Sequence, residues 1–204
     1  MHTDTTAADM RAGVGLEMLL PAAMQHAAAG LSEMVGRPVS IEVPRVERVP
    51  IAHVADLMGG PETEMVCVYL LFEGDVDGQA VLMAPLHDAL HLADMLLDEP
   101  EGTTTHLGAL EQSALAEAGN LTLSFFLNEI AMLSGVSCRP SPPAVVVDML
   151  GAILSVVATA VAGVSDDLTI VETVFREPER VVQVHFWVMP FPTKTTAETP
   201  SAGS

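Results

Sequence analysis

The sequence predicts an α/β (α+β) fold with pseudo-two-fold symmetry, in which helices cover a mostly antiparallel sheet. Two internal resemblances predict the symmetry. Residues 14–44 align with residues 113–143, and residues 69–85 resemble residues 173–190. Each half also reads as a helix, a short strand, a helix and then two long strands joined by a tight turn. We therefore expect the same architecture to occur twice along the chain.

The alignment of the two halves places like residues on like residues, which makes a chance match less plausible. The matched pairs are Leu31 with Ile130, Gly36 with Gly135, Pro44 with Pro143, and Phe72 with Phe175. A small insertion separates the early and the late parts of the alignment. Glycine permits backbone conformations that other residues rarely adopt and proline fixes φ, so their recurrence predicts that the two halves turn at equivalent places.

Two segments have the residue composition of long strands. The segments EMVCVYLLF (64–72) and RVVQVHFWVM (180–189) are rich in β-branched and large apolar residues, as strands packed on helices usually are. Residues 75–78 (DVDG) have the chemistry of a hairpin turn. Residues 99–106 (EPEGTTTH) form a polar connector with candidate N-cap residues for the helix that follows.

Length and composition predict one domain. The chain has 204 residues, half of them apolar, which is enough to bury a sizeable core. We expect a single domain over residues 1–192, with half-repeats at about 10–85 and 107–191 linked by a helix at 86–98. Residues 193–204 are small and polar, so the composition predicts a disordered tail.

The charge and the cysteines narrow the class of function. The formal net charge is −19 and Lys194 is the only lysine, which argues against nucleic-acid binding and against attachment to an anionic membrane. Cys67 and Cys138 fit no metal spacing and are interpreted as free, buried thiols in a reducing compartment. The polar, acidic start of the chain lacks the pattern of a signal peptide. We therefore expect a cytoplasmic protein without membrane insertion.

Residues 144–164 are apolar enough to raise the alternative of a membrane span. Asp148 and Gly151 interrupt this stretch, and two prolines precede it. We interpret it instead as a short buried strand followed by a buried helix, because helices that are apolar all round also occur in protein cores.

The candidate functional residues lie on a predicted helix at residues 107–133. At about 100° per residue, Ser113, Glu117 and Asn120 fall within an arc of about 60°, so they share one face. Polar residues continue this face, and apolar residues point the other way, toward the core. The periodicity alone is equally typical of a solvated helix face that has no function.

The exact spacing of these residues forms a motif that distinguishes this helix from an ordinary solvated one. Ser113, Glu117, Asn120 and Pro143 follow the pattern S-x3-E-x2-N-x22-P. This pattern resembles the signature of the CheC/CheX/FliY family of chemotaxis phosphatases at every position. The surrounding sequence is also similar to CheC proteins over about residues 13–191.

The resemblance implies a function, a substrate and residue roles. It implies a hydrolase that removes the aspartyl phosphate of the response regulator CheY and so ends or adapts the chemotactic signal. Asn120 would orient the attacking water, and Glu117 would pair with a cationic residue of CheY. Ser113 and Pro143 would support the motif. No cofactor of its own and no protein-bound metal are implied, since the Mg²⁺ belongs to CheY.

The first half departs from the family pattern. Typical CheC proteins can carry the motif twice, but the corresponding positions here are Val14, Met18 and Pro21. None of them can take a polar role, and Pro21 is expected to kink its helix or to lie near its start. We therefore expect one working site. The sequence does not specify whether the degenerate half packs or binds.

A second function class stays open beside the enzyme. A CheC-like chain could be a non-catalytic binding module that acts through CheD or at the flagellar switch, and CheD is a partner that the resemblance allows. Oligomeric state is not specified. His87 and His91 have a spacing that can bind zinc on a helix, but a third ligand is not evident, so a solvated or partly packed helix face is favoured.

Overall fold

The computed structural model describes residues 16–161 and 167–191. Its elements, in chain order, are α1 (Leu16–Val35), β1 (Ser40–Pro50), α2 (Ile51–Leu57), β2 (Glu64–Gly74), β3 (Gly78–Pro85), α3 (Leu86–Leu97), α4 (Ala109–Ser134), β4 (Cys138–Pro140), β5 (Ala144–Met149), α5 (Leu150–Val161), β6 (Asp167–Arg176) and β7 (Val181–Pro190). The linking helix and the motif helix therefore lie within one or two residues of their predicted bounds.

The described strands form one seven-stranded sheet with the order β1-β6-β7-β3-β2-β4, and β5 pairs with β2 beside β4. Every pairing is antiparallel. The halves exchange strands, because β1 of the first half pairs with β6 of the second, while β4 and β5 of the second half pair with β2 of the first. The predicted fold class, a mixed fold with an antiparallel sheet and internal two-fold pseudosymmetry, is confirmed.

Helices cover both faces of the sheet, since successive strand residues point to opposite sides. The larger core lies between one face and helices α1, α3 and α4. The smaller core lies between the other face and helices α2 and α5, and it contains Trp187 and Cys67. Burial raises the pKa of the Cys67 thiol to about 12. Cys138 is only half-buried, which corrects the prediction of two buried thiols, and no disulfide joins the pair.

The internal repeat is visible in backbone geometry as well as in sequence. Gly36 and Gly135 follow the two long helices with φ of 73° and 71°, the left-handed conformation that ends a helix and favours glycine. Their recurrence fixes the ends of α1 and α4 at equivalent places. Phe72 and Phe175, the other matched pair with large side chains, are both fully buried.

Three predictions about the second half and its counterpart need correction. Strand β5 is largely exposed rather than buried, because it pairs with β2 alone and lies at the edge of the sheet. Helix α5 buries only one face, and Val156 on its other face is 62% exposed. The short strand predicted for both halves is long in the first (β1) and split in the second (β4 and β5). A run of apolar residues predicts a strand or a helix, but whether that element is buried depends on its place in the sheet.

The polar connector at residues 99–106 does not cap the next helix, contrary to the prediction, but is held by hydrogen bonds to α3. The N-cap of α4 is Gly108, which makes no side-chain cap, so residues 99–106 do not supply one. Instead, the fully buried carboxylate of Asp94 on α3 accepts hydrogen bonds from the backbone N–H groups of Gly102 and Thr104, both at 2.8 Å. Burial alone would raise the pKa of Asp94, but the hydrogen bonds from Thr104 and Gly102 outweigh it and hold the pKa below its ordinary value.

We expect Asp94→Ala to loosen this connector. Loss of two hydrogen bonds to a buried charge should lower the free energy of unfolding by about 2–4 kcal/mol at pH 7. Because the folded-state pKa is lowered, the contribution is present above the ordinary carboxyl pKa of 3.8 and is lost as the pH falls through the folded value. Urea unfolding of the native protein and of Asp94→Ala should show a smaller difference in the free energy of unfolding at pH 3 than at pH 7. A difference independent of pH would contradict this role of the charge.

The alternative of a membrane span gains no support. Among the residues that the structure describes, no helix is long and apolar enough to cross a bilayer. The predicted single domain over 1–192 stays a prediction, and the predicted disordered tail at 193–204 lies outside the described residues.

Candidate functional site

Helix α4 lies close against the sheet at one residue of the motif segment. A β-carbon on Gly119 would come within 2.6 Å of Cγ1 of Val68 on β2, so only glycine permits this approach. Leu115, Ala118 and Phe126 are buried on the same side of the helix. The buried hydroxyl of Thr122 donates to the Ala118 carbonyl at 2.7 Å, which satisfies it within the helix. The core-facing side of α4 is thereby fixed.

The opposite side of α4 carries the sequence-predicted site residues. Ser113 and Glu117 are exposed, and Asn120 is half-buried one turn further on. Within the described chain, no hydrogen bond or ion pair engages the Glu117 or Asn120 side chain. The helix thus carries a carboxylate acceptor and an amide that both donates and accepts, one turn apart on the side away from the core.

Pro143 lies outside the helix, immediately before β5, and is half-buried. The preceding turn is pinned to β2, because the Ser141 N–H donates to the Leu71 carbonyl at 2.7 Å and the Leu71 N–H donates to Ser141 Oγ at 3.0 Å. Strand β5 in turn packs beside α4. Pro143 is therefore placed to shape the entry to an edge strand that flanks the motif helix.

The corresponding positions of the first half are only partly described. Pro21 is exposed and lies inside α1, five residues after Leu16, where the described part of the helix begins. Met18 also belongs to α1. Val14 lies outside the described residues. By sequence, neither Met18 nor Pro21 is polar, as the degenerate motif of the first half predicts.

The two long helices run antiparallel across the same face of the sheet. His26 on α1 forms a 2.8 Å ion pair with the buried carboxylate of Glu129 on α4, while the Phe125 ring lies directly over Gly30. Since the residue number rises along one helix as it falls along the other, the N-terminal halves lie at opposite ends of the pair. The motif of α4 is consequently remote from the degenerate positions of α1.

The histidine pair on α3 gives no sign of a metal site. His87 is largely exposed, and Nδ1 of His91 lies 3.0 Å from a carboxylate oxygen of Glu101. Asp94 is occupied by the connector. Within residues 16–161 and 167–191, no group of three or more His, Cys, Asp or Glu side chains is placed to hold a metal ion.

The sequence patterns did not indicate Gly119, which seats α4 against the sheet, or Asp94, which holds the connector that precedes α4. A glycine inside a strongly helical pattern is a signal of close packing and could have indicated Gly119. No local signal marks Asp94, because its hydrogen bonds depend on how the connector folds back over α3.

Known proteins resemble the chain in both sequence and fold. The model of the CheC-like family matches residues 110–147, the segment that contains Ser113, Glu117, Asn120 and Pro143. The CheY-P phosphatase CheC of Bacillus subtilis (strain 168) is 26% identical over 169 residues, which cover 81% of each chain.

Solved structures of related proteins have the same fold as this chain. FliY of Thermotoga maritima superposes with a TM-score of 0.66 at 24% identity, covering 82% of this chain and 84% of that one. A chain in the CheX-CheY-BeF₃-Mg²⁺ complex of Borrelia burgdorferi superposes with a TM-score of 0.52 at 16% identity, covering 85% and 97%.

The chain therefore has the same fold as the FliY and CheX structures. The resemblance to the CheC-like family, predicted from the spacing of four residues, is confirmed by the family match and by a CheC relative that extends over most of the chain.

Proposed function

We propose that this chain is a phosphatase of the phosphorylated chemotaxis response regulator CheY. The observation that carries the proposal is the pair Glu117 and Asn120, presented unpaired on one solvent-facing side of α4 within the segment that matches the CheC-like family. The name of the Bacillus subtilis relative supports the activity, and the CheX-CheY complex supports the partner. We expect the reaction to take place in the cytoplasm.

The chemistry requires little covalent machinery. In an aspartyl phosphate the leaving group is a carboxylate, so hydrolysis needs a water held in line with the phosphorus and stabilisation of the charge that develops. The oxygen of water forms the new P–O bond, the acyl P–O bond breaks, and the products are inorganic phosphate and the free carboxylate. The phosphoryl group never resides on this chain, and the Mg²⁺ belongs to the response regulator.

Asn120 is the residue that would orient the water. Its amide oxygen can accept a hydrogen bond from the water while its amide nitrogen donates a hydrogen bond to a phosphoryl oxygen. The half-buried position restricts its rotamers, which favours a fixed geometry. Glu117, one turn earlier and exposed, is suited to pair with a cationic group of the partner and so fix the angle at which α4 enters the partner's site. Ser113 and Pro143 would support these two residues.

The test is the decay of phosphorylated CheY from the same organism at increasing concentrations of this protein. We expect the decay rate to rise and then to saturate, with one equivalent of the chain consuming many equivalents of CheY-P. A decay rate that stays at its spontaneous value, although the two proteins bind, would refute the phosphatase. It would favour the binding module that acts through CheD or at the flagellar switch, for which the degenerate first half is the supporting observation.

A further inference from the structure

The edge strand β5 leaves apolar side chains exposed on both faces of the sheet. Val147 lies opposite Val66, which belongs to the larger core, and is 41% exposed. Val146 lies opposite Cys67, which belongs to the smaller core, and is 42% exposed. Because opposed residues of an antiparallel pair point to the same face, the two valines point to different faces. The helices on each face therefore leave β5 partly uncovered.

The backbone of β5 is open along one side as well. Within the described residues, β5 pairs with β2 alone, so the N–H and C=O groups directed away from β2 face no other strand. A helix or a flat protein surface would cover one face of the sheet and leave the other face and these groups in water. An added strand covers both faces and bonds the backbone at the same time. An extended segment is therefore the occupant that fits this edge.

The opposite edge of the sheet is built differently. Strand β1 (SIEVPRVERVP) carries two prolines and four charged residues, and its register with β6 shifts between Glu42 and Arg45. Prolines, charges and bulges are features that keep an edge strand from pairing with another chain. Strand β5 (AVVVDM) has no proline, keeps one register along β2 and carries a single charge, Asp148. One edge is thus protected against strand addition, and the other is not.

Strand β5 is complementary to a second copy of itself. A two-fold axis perpendicular to the sheet makes two copies of β5 antiparallel neighbours and keeps each face of the sheet continuous. With the axis at Val146, that residue lies opposite its own copy, and Val145 lies opposite Val147. Ala144 then lies opposite Asp148, so the two Asp148 side chains are about 14 Å apart along the strands. This register opposes valine to valine and separates the only charges of the strand.

We propose that this chain forms a homodimer in which two copies of β5 pair antiparallel about Val146 and join the two sheets into one. The proposal is independent of the proposed function. A strand of six residues is about 20 Å long and presents an edge about 10 Å deep, so the pairing buries less than the roughly 800 Å² per partner of a standard interface. We therefore expect a weak dimer, with a Kd of about 10–100 µM.

The test is sedimentation equilibrium of the full chain between about 5 and about 500 µM, with charge variants at the axis. In the dimer, Val146→Asp places two carboxylates opposite each other, and Val146→Lys places two ammonium groups there. Each variant alone should raise the Kd about tenfold or more. An equimolar mixture of the two variants should dimerise with a Kd close to the native value or below it, since opposite charges then face each other across the axis.

The matched controls are Val181→Asp and Val181→Lys. Val181 is 58% exposed and lies on β7, three strands away from β5 in the sheet, so both variants should dimerise as the native protein does. Urea unfolding checks that every variant is folded. A native chain that stays monomeric at about 500 µM overturns the proposal, as does a dimer that the Val181 variants weaken equally. A mixture of the Val146 variants that stays monomeric also overturns it, because Val146 would then not face its own copy.

Salt separates edge pairing from an ionic association. Each copy has a formal net charge of −19, whereas the proposed contact consists of backbone groups and valines. Since salt screens the repulsion between the copies, we expect the Kd to fall several-fold when NaCl is raised from about 50 to about 500 mM. A Kd that rises with salt would indicate ion pairs across another surface and would contradict pairing through β5.

Discussion

Asn120→Ala is expected to lower kcat for dephosphorylation of CheY-P about 100-fold or more, the usual cost of removing one aligned polar group from a reacting centre. Alanine can neither hold the water nor donate to a phosphoryl oxygen. Asn120→Asp should be nearly as inactive, since a carboxylate lacks the donor and repels the phosphoryl charge. The fold should be retained, because alanine is the strongest helix former and Asn120 makes no internal hydrogen bond in the described chain. Single-turnover decay with saturating protein measures kcat directly.

The matched control for this prediction is Ser124→Ala, which removes a polar group one turn further along the same stripe. It should leave kcat close to the native value. Equal losses in Ser124→Ala and Asn120→Ala would mean that the whole helix face matters for docking and that Asn120 has no special part in the chemistry.

Gly119→Ala is expected to destabilise the protein, although the same change in an exposed helix stabilises by about 0.5–1 kcal/mol. The new β-carbon would lie 2.6 Å from Cγ1 of Val68, a stiff β-branched side chain on a central strand. Helix α4 must then move away from the sheet. We expect the free energy of unfolding to fall by about 1–3 kcal/mol, measured by urea titration. Because Asn120 is the next residue, kcat should fall as well.

A double variant makes this prediction specific to the contact. Val68→Ala removes the two methyl groups that the new β-carbon would meet, at the cost of a cavity. In Gly119→Ala/Val68→Ala the two losses should therefore combine to about 1–2 kcal/mol less than their sum. Recovery of kcat in the double variant would show that Gly119 acts by seating the helix. Strictly additive losses would show that Gly119 and Val68 do not act through each other.

Those parts of the fold that depend on local periodicity were predictable from the sequence. The motif helix, the linking helix and the hairpin at residues 75–78 follow from apolar spacing and turn chemistry, and Gly36 and Gly135 end their helices as the repeat indicates. The exchange of strands between the halves was not specified by the sequence. It places β5 at an edge, which is why a strand of valines is exposed rather than buried.

At the candidate site, too, local patterns predicted some features, whereas contacts between distant segments could not be predicted. The spacing of Glu117 and Asn120 predicted that both lie on one accessible face, and the structure places them there. The contact between Phe125 and Gly30 was unpredictable, since the two residues lie on different helices that are distant in sequence. It depends on the antiparallel packing of α1 against α4, which brings Gly30 opposite the Phe125 ring. Contacts between segments about 95 residues apart leave no local pattern in either segment.

The most direct test of the proposed single catalytic site is phosphate release from excess CheY-P by the native protein and by Asn120→Ala, measured together with the binding of both to CheY–BeF₃⁻. We expect the native protein to release many equivalents of phosphate, and Asn120→Ala to release it about 100-fold or more slowly while binding as tightly. Release by Asn120→Ala at the native rate would place the chemistry elsewhere in the chain. Release by neither protein would contradict the phosphatase itself.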